Sequence, residues 1–494
     1  MWIEKEIQKD ADSIQKTIEH LSRDYKAQLP STIVSRIHVL HKEHMVEFLT
    51  SFYNSLRNAE YEIYQTCEDG ILPYNITEIK NSANDLPHPR ILSELQRSYD
   101  IRRHRANADA DGDGDGDGDG DRYIPYKVYQ YIREKSELCI QFQTMIRKRA
   151  ITLYFITFPE SHVSVVCSKS ASSSSSSSSS SACSLEIATY QHYAYKVFAW
   201  LSIITSMSDK DCSEKSLNVY FYMTPFKKQR PARSASGDDA ILSAIHVNTG
   251  LTRNCETHGE IVVYRTEEWF KVFIHESMHN FNMDFIDQDL RAANTQLRRT
   301  FCIPHDDVLL FETYTETWAR IINTMFHTYF HDNDNDHHVT QKHFIRTVRE
   351  KIAHNTLFYA YQIVKVLEIM KLKYGNITIQ SAENTEICRR RYAEETNVYA
   401  YYILGGVLSI YAVPFISWCC ENNRGGKGGR ISAIRFSRQP GVLPKLMDFI
   451  SHLARDPVIL SMIAFIEKST AAGTTAGATT TTTTTTKTMR MTMD

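Results

Sequence analysis

The pattern of apolar positions changes character along the chain. Through residue 105 it is helical: Ile14, Ile18 and Leu21 recur at helical spacing, as do Ile33, Ile37, Leu40 and Met45 with Phe48 and Phe52. From 150 the period shortens. The runs ITLYFITF (151–158), LNVYFYM (217–223), SAIHVN (243–248) and EIVVY (260–264) read as short strands, and 185–207 reads as a long helix. Thr266 then caps a further helix, with Glu267 and Glu268 in the first turn where the helix dipole favours acidic groups. From there to 468 nearly everything reads as helical. A strand–helix–strand–strand–strand block followed by a helical half predicts an α+β fold.

Three simple tracts punctuate this pattern: an Asp-Gly repeat at 111–120, ten serines at Ser172–Ser181 and eight threonines at Thr479–Thr486. Each holds too little apolar surface to offset the entropy of ordering and is expected to be a solvated linker or tail. The expected organisation is a helical region at 1–105 and an Asp-Gly linker at 106–121. A sheet-containing half follows at 122–283, with a serine insert near 168–184, then a helical half at 284–468 and a Thr-rich tail at 469–494. The Asp-Gly repeat is not a calcium loop, because the twelfth position from Asp111 is Arg122 where a bidentate Glu is required. GGKGG at 425–429 lacks the Ser/Thr and the preceding strand of a phosphate loop. His38, His41 and His44 are spaced by three with no supporting carboxylate, and read as an exposed helix face.

Composition narrows the class. The chain has 494 residues, is 42% hydrophobic and 23% charged, and carries a formal charge of −2, which fits globular domains rather than a fibre or a polytopic membrane protein. Seven of its 58 acidic residues are the aspartates at alternate positions from Asp109 to Asp121; without them, 56 basic residues leave a balance of +5. That is far from a nucleic-acid footprint. The ten cysteines form no CxxC pair and the N-terminal MWIEKEIQKD lacks the apolar core of a signal peptide, so reduced thiols in an intracellular setting are expected.

The chemistry gathers in two segments. FIHESMHNF contains His275-Glu276-Ser277-Met278-His279, and the i, i+4 spacing puts both imidazoles on one helix face where they can reach one ion. Glu276 lies beside that face and can act on a metal-bound water. The neighbours Phe270, Val272, Phe273 and Ile274 make this a buried helix, in which two unpartnered imidazoles would be costly. A catalytic zinc needs a third protein ligand and an open position. Asn282 and Phe285 stand where HExxHxxGxxH would need Gly and His, so the third ligand must come from elsewhere. LLFETYTETWARII at 309–322 offers Glu312 and Glu316, four apart on one face, beside an apolar stripe of Tyr314, Trp318, Ile321 and Met325. Glu312 reads as the ligand and Glu316 as its support.

HESMH followed by ETYTE resembles the gluzincin branch of zincin metallopeptidases, the thermolysin- and neprilysin-like class. The resemblance covers roughly 240–330 and extends loosely over 150–420. It implies a zincin-like catalytic domain: a small mixed sheet carrying the HExxH helix, then a helical half. It implies Zn2+ held by His275, His279 and Glu312, with Glu276 as general base. Glu316 stands where that class usually has an Asp orienting a ligating imidazole; with the longer side chain, the alternative assignment of Glu316 as the ligand stays open. The substrate-binding edge strand of that class would correspond to Glu260, Ile261, Val262, Val263 and Tyr264. Its oxyanion donor, a Tyr or His, would come from Tyr399, Tyr401 or Tyr402 in NVYAYYILGG or from His327, with Tyr401 and Tyr402 carried as the catalytic candidates. The implied activity is peptide-bond hydrolysis, on a peptide or protein substrate rather than nucleic acid.

Two further readings stand beside this one. A non-catalytic structural or interaction protein could keep a zincin-like fold, although retaining the base argues against decay. The run 399–420 carries no charged residue and is long enough to span a bilayer, with Glu394 and Glu395 on one side and Arg424, Lys427 and Arg430 on the other. Its Tyr content, Gly405, Gly406 and Pro414 favour a buried helix behind the site. Homopolymer tracts around an enzyme-like core also resemble proteins of large DNA viruses, which implies host cytoplasm or virion.

Overall fold

The computed structural model describes residues 16, 42–68, 70–82, 84–90, 92–93, 124–159, 179–209, 211–231, 241–303, 307–331, 339–423, 429–475 and 489–492. The helix expected over 14–21, all but Lys16, the Asp-Gly repeat, Ser172–Ser178, the threonine tract, His38, His41 and His305 lie outside those residues. What is described is a mixed α+β protein, mostly helical, with one six-stranded sheet. Two compact units emerge among the described residues: Ser55–Phe226 with Thr249–Phe281, and Gln8–Asn54 with Lys227–Asn248 and Asn282–Asp494. The first long helix, α1 (Lys42–Tyr64), buries Met45, Phe48, Leu49, Phe52, Leu56, Ala59 and Ile63 along one stripe, as its periodicity predicts.

The first unit is built on the sheet, in the order β1-β2-β3-β4-β6-β5. Strand β1 (Tyr74–Glu78) pairs antiparallel with β2 (Leu138–Ile146), and β2 with β3 (Arg149–Thr157). Strands β3, β4 (Ser216–Tyr222) and β6 (His258–Val263) run parallel, and β5 (Gly250–Thr252) closes the edge antiparallel to β6. Helix α2 (Tyr126–Lys135) precedes β2, and α3 (Ser179–Met207) is the crossover that the parallel β3–β4 pair requires. Side-chain alternation divides the sheet's two faces. Ile156, Tyr220, Tyr222 and Val262 cluster with Val128, Tyr129 and Ile132 of α2. Phe155 stacks on Phe221 (4.7 Å) from the other face, and both rings meet Trp269, the first residue of helix α4 (Trp269–Asn280).

The second unit is helical: α5 (Arg291–Thr300), α6 (Leu310–His331), α7 (Gln341–Ile369), α8 (Ala382–Arg391), α9 (Gly405–Ile410), α10 (Ala412–Asn422), α11 (Val442–Leu453) and α12 (Pro457–Thr475). Helix α6 packs on α7 and α9. Its Trp318 meets Phe415 (5.4 Å) and Phe48 of α1 (5.3 Å). Inside this unit Arg320 is 2% exposed and donates from Nε to Glu316 (3.0 Å), from Nη1 to Ser409 Oγ (3.0 Å) and from Nη2 to the Tyr401 carbonyl (2.9 Å). Removing one member of a buried pair strands the other charge, so Arg320→Ala should lower unfolding free energy by about 3–5 kcal/mol, read from denaturant melts. Arg320→Lys should recover little of this, because a point charge cannot replace three directed donors.

Several expectations are corrected. The region 1–105 is not wholly helical, since it contains β1. SAIHVN is not a strand: Ala244–Val247 is a helical turn, because Ser243 N donates to His246 Nδ1 (3.1 Å) and closes a capping box. Thr266 does not cap α4. Its N–H is held by the Thr224 carbonyl (3.1 Å), Glu268 is left-handed at φ 58°, and the helix starts at Trp269. The serine insert is helical from Ser179, where an established helix extends cheaply into α3. Within the Thr-rich tail the described residues are structured: α12 runs to Thr475, and Met489 and Met491 are buried.

The run 399–420 is not one helix. A π-helical turn (Tyr399–Leu404) leads into α9, and α9 meets α10 at a 90° bend. The widened turn has a local cause. The Ala400 and Tyr401 carbonyls accept from Thr313 Oγ1 (3.1 Å) and Arg320, which draws them out of the ordinary ladder. Among the described residues no single helix is long and apolar enough to cross a membrane. The cysteines are not all reduced: Cys212 and Cys255, 43 residues apart, form a disulfide, brought together where Ser213 N bonds the Glu256 carbonyl (2.7 Å).

Candidate metal centre

Every residue of α4 is buried. Its sheet-facing side is fixed by aromatic packing, with Phe273 on Phe221 (5.5 Å) and Trp269 on both stacked phenylalanines. A second anchor comes from α3, where Trp200 Nε1 donates to Ser277 Oγ (2.6 Å), which itself donates back to the Ile274 carbonyl (2.7 Å). With those sides occupied, the helical period leaves His275 and His279 together on a separate face. Their Nε2 atoms stand 3.2 Å apart and both residues are 6% exposed.

Glu276 is 8% exposed and turns towards the sheet edge. There the backbone of Gly250 in β5 comes so close that a Cβ on it would lie 2.8 Å from Val272 Cγ1, 2.9 Å from Glu276 Cγ and 3.0 Å from Glu276 Oε1. The strand therefore seats the Glu276 carboxylate, and only glycine permits that approach. Gly250→Ala should cost about 1–3 kcal/mol through overpacking, visible as a lower melting temperature, while leaving the imidazole pair in place.

The last turn of α4 is tied down through Asn280. Its Oδ1 accepts from Ser213 Oγ (2.7 Å), its Nδ2 donates to Thr252 Oγ1 (3.1 Å) and the Arg253 carbonyl (3.3 Å), and its carbonyl accepts from Cys255 N (3.1 Å). Sequence reading missed this network and Gly250 alike. The Asn directly after HESMH was the one signal available.

Glu312 is half-buried in the first turn of α6. It belongs to the second unit, whereas His275 and His279 belong to the first. Glu316 is 1% exposed and bound by Arg320, a partner the sequence reading had not given it. Comparison of the chain with known protein families, curated proteins and solved structures finds no match. The donors themselves carry the argument.

Other candidates fall elsewhere. The Tyr402 hydroxyl is buried and donates to the Met489 carbonyl (2.5 Å), so it is committed to the core and is withdrawn as an oxyanion donor. Tyr401 is half-buried, with its main-chain carbonyl on Arg320. Tyr399 is fully buried against Phe301 and Tyr392. His327 Nδ1 lies 2.7 Å from Lys351 Nζ.

The stretch Glu260–Tyr264 is not a sheet edge. Strand β6 lies between β4 and β5, and Tyr264 follows its end, with its N–H on the Thr249 carbonyl (2.8 Å). The outer side of β6 is further occupied: Thr252 Oγ1 of β5 donates to the Glu260 carbonyl (2.7 Å), and beyond β5 Arg90 Nη2 donates to the His258 carbonyl (2.9 Å). Three-residue β5 holds the edge position instead. The short strand pattern had hidden it.

Proposed function

We propose that the chain is a zinc-dependent hydrolase acting on peptide bonds, with His275, His279 and Glu312 as the metal ligands and Glu276 as the general base. The observation that carries this reading is the pair of buried imidazoles on one face of α4, with the Glu276 carboxylate beside them on the same helix. The donor set suits zinc. Ligand bonds of about 2.0–2.2 Å in a tetrahedron imply donor atoms about 3.3–3.6 Å apart. The Nε2 atoms at 3.2 Å match that edge, and Glu312 is assigned as the third donor from its place in LLFETYTE. Two histidines and one glutamate also leave a fourth position for water, as catalytic sites require.

A zinc ion at this position would supply Lewis acidity and water that ionises near neutral pH. The protein's own groups have distinct tasks. Glu276 accepts a proton from the attacking water and returns it to the leaving amine, and its seat against Gly250 holds the carboxylate in one orientation. The Arg320 ion pair fixes the Glu316 carboxylate in the buried interior, one turn along α6 from Glu312. Asn280 and Ser277 fix the helix that bears the base.

Incubation of the zinc-loaded protein with a mixed peptide library in H2-18O tests this reading. The expected result is cleavage that places one 18O in each new carboxyl terminus and that stops when zinc is removed by a chelator. Full zinc loading with no cleavage across the library would favour the non-catalytic alternative.

A further inference from the structure

We propose that the Cys212–Cys255 disulfide is a thiol-controlled clamp on the metal-binding helix: closed, it holds the last turn of α4, and opened by a dithiol it loosens that turn and weakens metal binding at His279. The regulation rests on the metal-binding reading of His275, His279 and Glu312; the clamp itself does not.

The bond joins the loop before β4 to the loop after β5, and both loops grip one residue. Asn280, next to His279, receives Ser213 Oγ from the first loop and Cys255 N from the second, and donates to Thr252 and Arg253. Ser213 and Cys255 adjoin or form the disulfide, and both take left-handed backbone conformations, φ 49° and 51°. Side-chain-bearing residues hold such conformations only where their surroundings impose them. The space is tight as well: a Cβ on Gly259 would fall 2.0 Å from Ser213 Oγ and 3.0 Å from Asn280 Oδ1. The same short strand, β5, seats Glu276 through Gly250. One covalent bond therefore secures both ends of the functional stretch of α4.

The chemistry balances with a dithiol as reductant. Its thiolate attacks the half-buried Cys255 sulfur, the S–S bond breaks and buried Cys212 leaves as the thiolate. The second dithiol sulfur then displaces Cys255. Two electrons and two protons pass from the dithiol, which becomes a disulfide, to the two cysteine thiols. Cys139 and Cys388 make poor competitors at neutral pH, since burial pushes the Cys139 thiol up to about 12 and the Cys388 thiol up to about 11.

The test uses the full-length protein in oxidised, dithiol-reduced and reoxidised forms, with the bond state established by thiol alkylation and mass spectrometry. Amide hydrogen exchange over Trp269–Asn280 is measured in each form without metal, and zinc affinity by chelator competition. Reduction should speed exchange in the last turn of α4 and weaken zinc binding by about 10–100-fold, the range expected when groups supporting a ligand are lost, and reoxidation should restore both. The variant C212S/C255S should match the reduced form and ignore the dithiol. Unchanged exchange and affinity between the two bond states would overturn the proposal, as would two thiols that never pair under oxidising conditions. Exchange that responds in a chain binding no zinc in either state supports the clamp and overturns the metal reading instead.

Discussion

Glu276→Gln is expected to bind zinc as tightly as the wild type and to hydrolyse peptides about 10²–10⁴-fold more slowly, the usual contribution of a positioned general base. The substitution is nearly isosteric, so the close approach to Gly250 survives and the fold should not change. Glutamine cannot accept the water proton. The loss should therefore appear in kcat more than in KM, because proton transfer belongs to the transition state and not to substrate binding. Equal activity in the variant would remove Glu276 from the mechanism. Loss of zinc together with activity would instead make it a structural support of the ligands.

His279→Ala should have the opposite signature: zinc binding falls first, and hydrolysis follows it. Losing an outer-sphere partner commonly costs about 10–100-fold in affinity, and losing a ligand should exceed that range. The alanine also removes the ring that faces His275 at 4.8 Å between centroids, inside a buried helix. A cavity there adds a modest stability loss, so melting curves must accompany the titration. Glu312→Gln offers the matching test from α6. It keeps the shape while removing the charged donor, so zinc affinity should fall and the apo protein should melt unchanged. If Glu316→Gln lowered zinc affinity more than Glu312→Gln did, the alternative assignment of the third ligand would be the better one.

Much of the candidate site was legible because its ligand spacing is local. Two histidines four apart face the same way on any helix, and LLFETYTE announces its acidic pair by the same rule. The Glu316–Arg320 pair was readable too, at i, i+4 on α6, yet its burial and its reach to Ser409 and Tyr401 depend on residues more than 80 positions away. Gly250 was invisible for the same reason. Nothing in NTGLT says that Glu276, 26 residues on, will rest against that glycine.

The sheet shows the other limit. Strands β3, β4 and β6 are buried in the interior of the sheet and read as near-continuous apolar runs. Strands β1 and β2 carry alternating polar positions, and the tight turn between β2 and β3 uses Arg147 and Lys148 at positive φ in place of the usual Asn-Gly signal. Strand β5 has three residues, too few for any period. SAIHVN has the composition of a strand, but the His246 side chain satisfies the Ser243 N–H and closes a turn. The disulfide had no local signature, since pairing of Cys212 with Cys255 depends on parallel strands β4 and β6 lying side by side.

The most direct test of the account is zinc titration of the purified full-length protein, followed by X-ray absorption spectroscopy of the loaded form. The predicted result is one tightly bound zinc per chain with nitrogen and oxygen ligands only, at about 2.0–2.2 Å, including two imidazoles, and loss of that signal in His279→Ala. No stoichiometric zinc in the wild type, or a bound zinc with sulfur ligands that persists in His279→Ala, would contradict it.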